Sequence, residues 1–247
     1  MTKHNYIKNP NLSTSKRPAD ERGVSDHGWL RARFTFSFAD YYDESHMGFH
    51  SLRVMNNDTI APGGGFPDHP HSEMEIFTYV IEGKLTHRDS MGNEAVLTPG
   101  RLQYMSAANG IRHSEFNPST NENTTLYQIW LEPKQKGGEP VYFEKALDTE
   151  KTKDTLTLLY SGSGRSDSTK IRQDAEISFG ETEKIEKDIH VDENQDLPHS
   201  WIQIISGEVE TLGQSLKTGD GLAINNAPDG FSIRSKKNTK FLLFRLC

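Results

Sequence analysis

The sequence lacks several features that define whole classes of protein. It has a single cysteine, Cys247, at the last position, so neither an internal disulfide nor a cysteine-based zinc site can form. No apolar run is long enough to span a bilayer, and the polar N-terminal stretch lacks the apolar core of a signal peptide. We therefore expect a cytoplasmic protein that does not associate with a membrane.

Positive charge is also scarce. The chain has 28 Lys and Arg against 35 Asp and Glu, which gives a formal net charge of −7 and a pI near 5.8. A general nucleic-acid-binding surface is not expected at this charge. The apolar fraction is a modest 33% and there are 20 glycines, a composition typical of a loop-rich β protein.

Short β-forming runs alternate with turn signals along the chain. Residues 76–81 form a strongly β-forming run that stops at Glu82 and Gly83, and residues 89–93 have the composition of a hairpin turn. Residues 51–56 predict a short strand that ends at Asn56. Strands of this length and spacing predict an antiparallel barrel or jelly roll.

The second half of the chain repeats the first half faintly, which indicates an internal duplication. Residues 202–209 are similar to residues 79–85, and residues 216–222 are similar to residues 97–102. Residues 132–140 are polar and contain Pro and Gly, as expected of a linker. We predict an all-β chain with an N-terminal segment at 1–22 that is either a flexible arm or a loosely docked edge segment, a barrel at 23–133 and a second barrel at 134–247.

Two pairs of potential metal ligands are each spaced two residues apart. His69 and His71 form one pair, and His113 and Glu115 form the other. Residues at this spacing on a strand point to the same face. Each pair alone fits a solvated loop or a polar strand face equally well. Two facing strands inside a barrel would bring three imidazoles and one carboxylate together, a set that suits Fe(II), Mn(II), Ni(II), Cu(II) or Zn(II).

The second copy does not repeat these ligands. Alignment of the two halves, to within a residue or two, places other residue types at the matching positions: Glu193, Gln195, Ser232 and Arg234. His190 and His199 lie nearby at the wrong spacing, and we interpret both as surface or structural histidines. Only the first barrel is therefore predicted to bind a metal.

Several motifs in the first half resemble those of a known family. Gly-x5-His-x-His-x3-Glu from Gly63 resembles the first cupin motif, and Gly-x2-His-x3-Asn from Gly110 resembles the second. Further matching segments are residues 34–43, 78–83, 87–93 and 128–130. Together they resemble the pirin family, in particular its bacterial quercetin 2,3-dioxygenase-like branch, without a break from about residue 23 to 133. The resemblance implies two cupin-type barrels in one chain.

The resemblance also implies a ligand set. It assigns one divalent metal, with Fe(II) preferred, to His69, His71, His113 and Glu115. Glu75 stands one residue before the usual cupin carboxylate position, and a slip of one residue reverses the face of a strand. We therefore expect Glu75 outside the ligand set, where it would orient a histidine.

The implied activity is oxidative cleavage of a flavonol by dioxygen, with Glu115 as the catalytic base. An apolar pocket wall is predicted from the residues Phe34, Phe36, Phe49, Phe66 and Met105, although ordinary core packing explains each equally well. We expect a monomer. Two alternatives stay open: a metal-dependent binding protein that regulates a transcription factor or enzyme, and a cupin oxygenase or isomerase with another substrate.

Overall fold

The computed structural model describes residues 9–148 and 152–247, and almost all of the regular secondary structure in these residues is β-strand. Residues 1–8 of the predicted arm and residues 149–151 of the predicted second barrel lie outside the described residues. Ala19–Glu21 form a short 3-10 helix. None of the helices in the described ranges is long and apolar enough to cross a membrane. The predicted all-β fold is confirmed.

The strands follow one another with short connections. The strands up to residue 146 are β1 (Ser13–Arg17), β2 (Gly23–Asp26), β3 (Leu30–Phe34), β4 (Leu52–Ile60), β5 (Gly65–His71), β6 (Glu75–Glu82), β7 (Leu85–Asp89), β8 (Glu94–Leu97), β9 (Arg101–Ser106), β10 (Ile111–Phe116), β11 (Thr124–Leu131) and β12 (Val141–Ala146). The later strands are β13 (Thr155–Ser161), β14 (Thr169–Lys170), β15 (Ala175–Thr182), β16 (Asp188–Val191), β17 (His199–Ser206), β18 (Glu208–Thr211), β19 (Gln214–Lys217), β20 (Gly221–Asn225), β21 (Phe231–Ser235) and β22 (Thr239–Leu246).

The chain divides into two compact units, here called the first and second barrels. The first barrel comprises the described residues within Asp20–Thr152 and Leu158–Asp174. The second comprises those within Met1–Ala19, Lys153–Thr157 and Ala175–Cys247. These units differ from the predicted ranges because strand pairing crosses the predicted boundaries. Strand β12 follows the linker yet pairs with β9 of the first barrel, and β1 pairs with β20 of the second.

Two antiparallel sheets form the first barrel. The larger has the strand order β12-β9-β6-β11-β4-β3-β2, and the smaller has the order β5-β10-β7-β8. Alternation along each strand directs every second side chain to the inner face, where apolar residues pack. One inner cluster consists of Leu30, Ala32, Phe34, Ile60, Val80, Leu85, Leu97 and Leu126. The sheets thus enclose a core on which the candidate site is built.

Two glycines permit close approaches that shape the first barrel. At Gly65, a Cβ atom would lie 2.3 Å from the backbone oxygen of Glu115, so a larger residue would separate β5 from β10. Gly83 has φ of +79° and ends the turn after β6. A Cβ atom there would lie 2.5 Å from the backbone oxygen of Asn123. Both positions therefore require glycine.

The second barrel has an equivalent pair of antiparallel sheets, in the strand orders β1-β20-β17-β22-β15 and β16-β21-β18-β19. Part of the predicted arm is an edge strand of this barrel, because β1 pairs with β20 along its length. The Lys16 ammonium lies 2.8 Å from the Asp220 carboxylate, which also accepts a hydrogen bond from the Ala19 backbone N–H at 2.8 Å. These contacts hold residues 13–19 in place.

Candidate metal centre and adjoining cavity

Three histidines converge on the inner face of the smaller sheet of the first barrel. His69 and His71 lie on β5, and His113 lies on β10 directly opposite His69. The ring centroids are 4.8 Å apart for His69 and His71, 4.4 Å for His69 and His113, and 4.9 Å for His71 and His113. One ring nitrogen of each lies within 4.8 Å of the others. The three rings can therefore share one ion.

Two of the three imidazoles, His71 and His113, are in the neutral state that a metal requires. Burial, followed by the neighbouring histidines, lowers the pKa of His71 to about 4 and that of His113 to about 3, so both are neutral near pH 7. The buried Nε2 atom of His113 has no hydrogen-bond partner among the described residues. His69 Nδ1 donates to the Pro67 carbonyl at 2.8 Å, which leaves its Nε2 lone pair available. This donor set fits a divalent transition metal.

Glu115 occupies the next inward position on β10. The register between β10 and β5 shifts between His113 and Glu115, and the side chains of both residues stay buried. A carboxylate oxygen of Glu115 lies within 4.8 Å of nitrogen atoms of His113 and His87, which defines a second ligand group that shares His113 with the first. Gln128 Nε2 donates to Glu115 Oε2 at 2.8 Å, and the Thr78 hydroxyl lies 3.4 Å from Oε1. The carboxylate is therefore held in one orientation.

His87 is a member of this constellation that the ligand spacing did not reveal. Its Nε2–H donates to the Asp89 carboxylate at 3.3 Å, and in this tautomer Nδ1 is the acceptor. His113 Nδ1 and Gln103 Nε2 approach that acceptor at 3.4 and 3.3 Å. This order of donors and acceptors leaves the His113 Nε2 lone pair free for a metal. The His-x-Asp pattern was visible in the sequence, but the pairing of β7 with β10 was not.

Glu75 lies on the other side of the sheet. Its carboxylate accepts hydrogen bonds from the hydroxyls of Tyr104 and Ser106, both at 2.5 Å, and from the Arg172 backbone N–H at 2.9 Å. Burial, followed by the Glu75 charge, raises the pKa of Tyr104. The expectation that Glu75 orients a histidine is therefore corrected. On β6 the inward positions belong to Ile76 and its i+2 neighbours, so Glu75 points outward.

An apolar cavity of about 510 Å³ adjoins the centre. Two of the predicted wall residues, Phe34 and Phe66, line it, and the Phe66 ring lies 6.3 Å from that of His69. The other aromatic members of the wall are Trp29, Phe38 and Tyr41. This volume falls within the range of about 300–1,000 Å³ typical of small-molecule sites. The cavity is therefore large enough for a flat aromatic molecule, and Phe66 is the lining residue that connects it to His69.

The remaining predicted wall residues do not line this cavity. Phe36 is buried in the core, and the Phe49 ring packs edge-on against His50 at 4.7 Å. Met105 belongs to a separate cluster with Ile76, Ala107 and Ile111, against which Trp130 packs. Ordinary core packing, which was the alternative explanation for these residues, therefore accounts for their positions.

Comparison with known proteins places the chain in a defined group. The family described as Pirin matches residues 16–131, and the one described as Quercetinase C-terminal cupin domain matches residues 158–246. A protein named quercetin 2,3-dioxygenase from Escherichia coli K12 is 44% identical over 230 residues, which cover 93% of this chain and 97% of that protein.

Solved structures give the same result. The crystal structure of YhhW from Escherichia coli has a TM-score of 0.90 and 41% identity, covering 95% of this chain and 98% of that one. The structure described as bacterial pirin YhhW in complex with nickel(II) has a TM-score of 0.89 and 40% identity, covering 95% and 99%. The predicted pair of cupin-type domains is confirmed by these matches.

Proposed function

The chain belongs to the pirin family, and from that premise we propose that it is a metal-dependent dioxygenase that cleaves flavonols such as quercetin. The observation that carries the proposal is the convergence of three histidines, two of them with pKa values lowered by burial, beside an aromatic cavity. A buried nitrogen without a partner is costly unless a ligand occupies it. The similarity to proteins named quercetin 2,3-dioxygenase supports the same chemistry.

We assign the metal to His69, His71, His113 and Glu115. The donor set accepts several divalent ions, and we propose Fe(II) as the native one. The related YhhW was crystallised with nickel(II). When bound, the metal would act as a Lewis acid that makes a chelating flavonol 3-hydroxyl more acidic.

The chain's own residues supply the remaining functions. In the proposed reaction, O2 adds to the flavonol, the central ring opens and carbon monoxide leaves. Glu115 accepts the proton of the 3-hydroxyl, and the contacts from Gln128 to Oε2 at 2.8 Å and from Thr78 to Oε1 at 3.4 Å hold the carboxylate in position for this step. The aromatic wall around Phe34 and Phe66 binds the rings and excludes water.

The test is oxygen-dependent loss of quercetin by metal-free protein reloaded in turn with Fe(II), Mn(II), Ni(II), Cu(II) and Zn(II). We expect turnover and release of carbon monoxide with at least one metal. Neither should occur under nitrogen. The matched control is His69→Ala treated in the same way. Stoichiometric metal binding without turnover for every ion would overturn the proposal and favour a metal-dependent binding protein.

A further inference from the structure

Two polar side chains of β4 line the aromatic cavity, although both are almost fully buried. Asn56 is 2% exposed and Asp58 is 4% exposed. The Oδ1 atom of each has no hydrogen-bond partner among the described residues. A buried acceptor without a donor loses the free energy of its lost hydration, so such atoms are rare unless a ligand or water serves them. These two oxygens therefore call for hydrogen-bond donors from within the cavity.

The position of this pair relates it to the metal centre. Asn56 and Asp58 are two residues apart on one face of β4, so their side chains point the same way. Across the sheet, Asn56 is paired with Gln128 of β11, which holds Glu115. Adjacent strands lie about 4.8 Å apart. The two acceptors therefore lie on the strand next to the one whose Gln128 holds Glu115.

The surroundings of the pair suit an aromatic ring. Phe34 is paired with Asn56 across β3 and β4, and its ring lies 5.6 Å from that of Phe38 and 6.1 Å from that of Tyr41. On another part of the wall the Trp29 and Phe66 rings meet edge-on at 5.1 Å. Rings inserted between such walls gain apolar contact and stacking. Only substituents on the edge of an inserted ring can donate hydrogen bonds to the Oδ1 atoms of Asn56 and Asp58.

We propose that Asn56 and Asp58 accept hydrogen bonds from ring hydroxyls of the substrate and so select polyhydroxylated aromatic molecules. This inference rests on the proposed function, which identifies the ligand as a flavonol with its chelating end at the metal. The ring bearing the additional hydroxyls lies in the cavity between the aromatic walls. Neither residue takes part in the chemical step.

Electrostatics agrees with this assignment. Burial, followed by the charge of Glu115, raises the pKa of Asp58 to about 7, against the opposing charge of Arg22. The carboxyl group retains a lone pair for a hydroxyl donor in either protonation state. A hydroxyl donor from the ligand would offset the cost of burying this group, whereas an apolar ring edge would leave that cost in place.

The first experiment compares two flavonols that share the chelating groups. Quercetin carries hydroxyls on its outer rings, and 3-hydroxyflavone carries none. In wild-type protein we expect kcat/KM to favour quercetin by about 10–100-fold, the size of effect expected when a buried acceptor is left without a donor. Asn56→Leu and Asp58→Leu should each reduce that ratio about tenfold, mainly through a higher KM for quercetin.

Two further variants distinguish binding from folding. Asp58→Asn preserves the side-chain shape, and Thr59→Val alters the opposite face of the same strand. We expect Asp58→Asn, which keeps an acceptor oxygen, and Thr59→Val to preserve the quercetin preference with unchanged unfolding midpoints. An equal loss of kcat/KM for both flavonols in the Asn56→Leu and Asp58→Leu variants would overturn the proposal, because it would indicate a merely structural role.

A second measurement is independent of turnover. Resorcinol and 1,3-dimethylbenzene have the same shape, and neither places two hydroxyls on adjacent carbons to chelate a metal. Their dissociation constants, measured by ligand-observed NMR on metal-loaded protein, give a ratio for each variant. We expect Asn56→Leu to shift that ratio about tenfold toward the dimethyl compound. An unchanged ratio would refute the hydroxyl site even if quercetin is cleaved, and a shifted ratio would support it even if quercetin is not.

Discussion

The two barrels use the same strand framework for opposite purposes. In each smaller sheet a glycine at positive φ, Gly110 or Gly230, precedes the strand that pairs with two neighbours. In the first barrel the inward cross-strand pairs are His113–His69, Ile111–His71 and Glu115–His87. In the second barrel the matching pairs are Ile233–Ile189, Phe231–Val191 and Ser235–Val209. Aliphatic side chains replace every histidine.

This difference shows that the fold alone does not make the site. The aliphatic replacements belong to a continuous buried cluster, so the second barrel has an apolar core where the first has histidines. In the first barrel, burial lowers the pKa of a histidine. In the second barrel, burial of aliphatic side chains at the matching positions provides hydrophobic stability. Function here depends on which side chains occupy a shared frame.

The comparison also corrects the positions predicted for the second copy. Alignment of the two halves suggested that Ser232 and Arg234 replace His113 and Glu115. In the structure these two residues point away from the core, and Arg234 pairs with Asp188 through two contacts of 2.7 Å. His190, which lies 2.8 Å from the Ser232 hydroxyl, is on the same exposed face. An alignment error of one residue on a strand reverses the face, which explains the difference.

Removal of one ligand should have the largest effect. We expect His113→Ala to abolish stoichiometric metal binding and turnover while the β-sheet circular dichroism spectrum is unchanged, because the substitution removes a central donor from the set. Metal content measured after dialysis is the test. Full metal occupancy in the variant would refute the ligand assignment.

The second prediction concerns the carboxylate of the same strand. Glu115→Gln retains the size of the side chain but removes its basicity, so turnover should fall about 10²–10⁴-fold, the usual contribution of a general base. The Kd for quercetin measured by absorbance should change much less than kcat. Unchanged kcat would exclude Glu115 as the base.

The third prediction concerns the position in the second barrel that corresponds to His113. Ile233 is 1% exposed at the position that matches His113. Ile233→Ala should reduce the free energy of unfolding by about 2–5 kcal/mol, because it leaves a cavity in a packed cluster. Urea denaturation measures this change, and metal content per chain should remain stoichiometric. Loss of metal without loss of stability would contradict the division of roles between the barrels.

The sequence predicted that the two members of each candidate ligand pair face the same way, because a spacing of two on a strand determines the face locally. It did not predict the role of β4, since a run ending in Asn56, Asn57 and Asp58 has the composition of a turn. The strand instead continues to Ile60, and Asn56 and Asp58 face inward. Which strands become neighbours depends on long-range pairing, which spacing cannot determine.

The smallest effect is expected from the hydrogen-bond chain behind the centre. Asp89→Asn replaces the carboxylate that accepts the His87 Nε2–H with an amide that also presents donors, so the tautomer that leaves His113 Nε2 free is favoured less strongly. Affinity for the metal should fall about 10–100-fold, as measured by competition with a chelator. Arg88→Gln is the matched control, since Arg88 lies between the two residues and pairs with Glu94 in solvent. If both variants bind the metal equally well, His87 and Asp89 do not position His113, and the contrast between the barrels is limited to the ligands themselves.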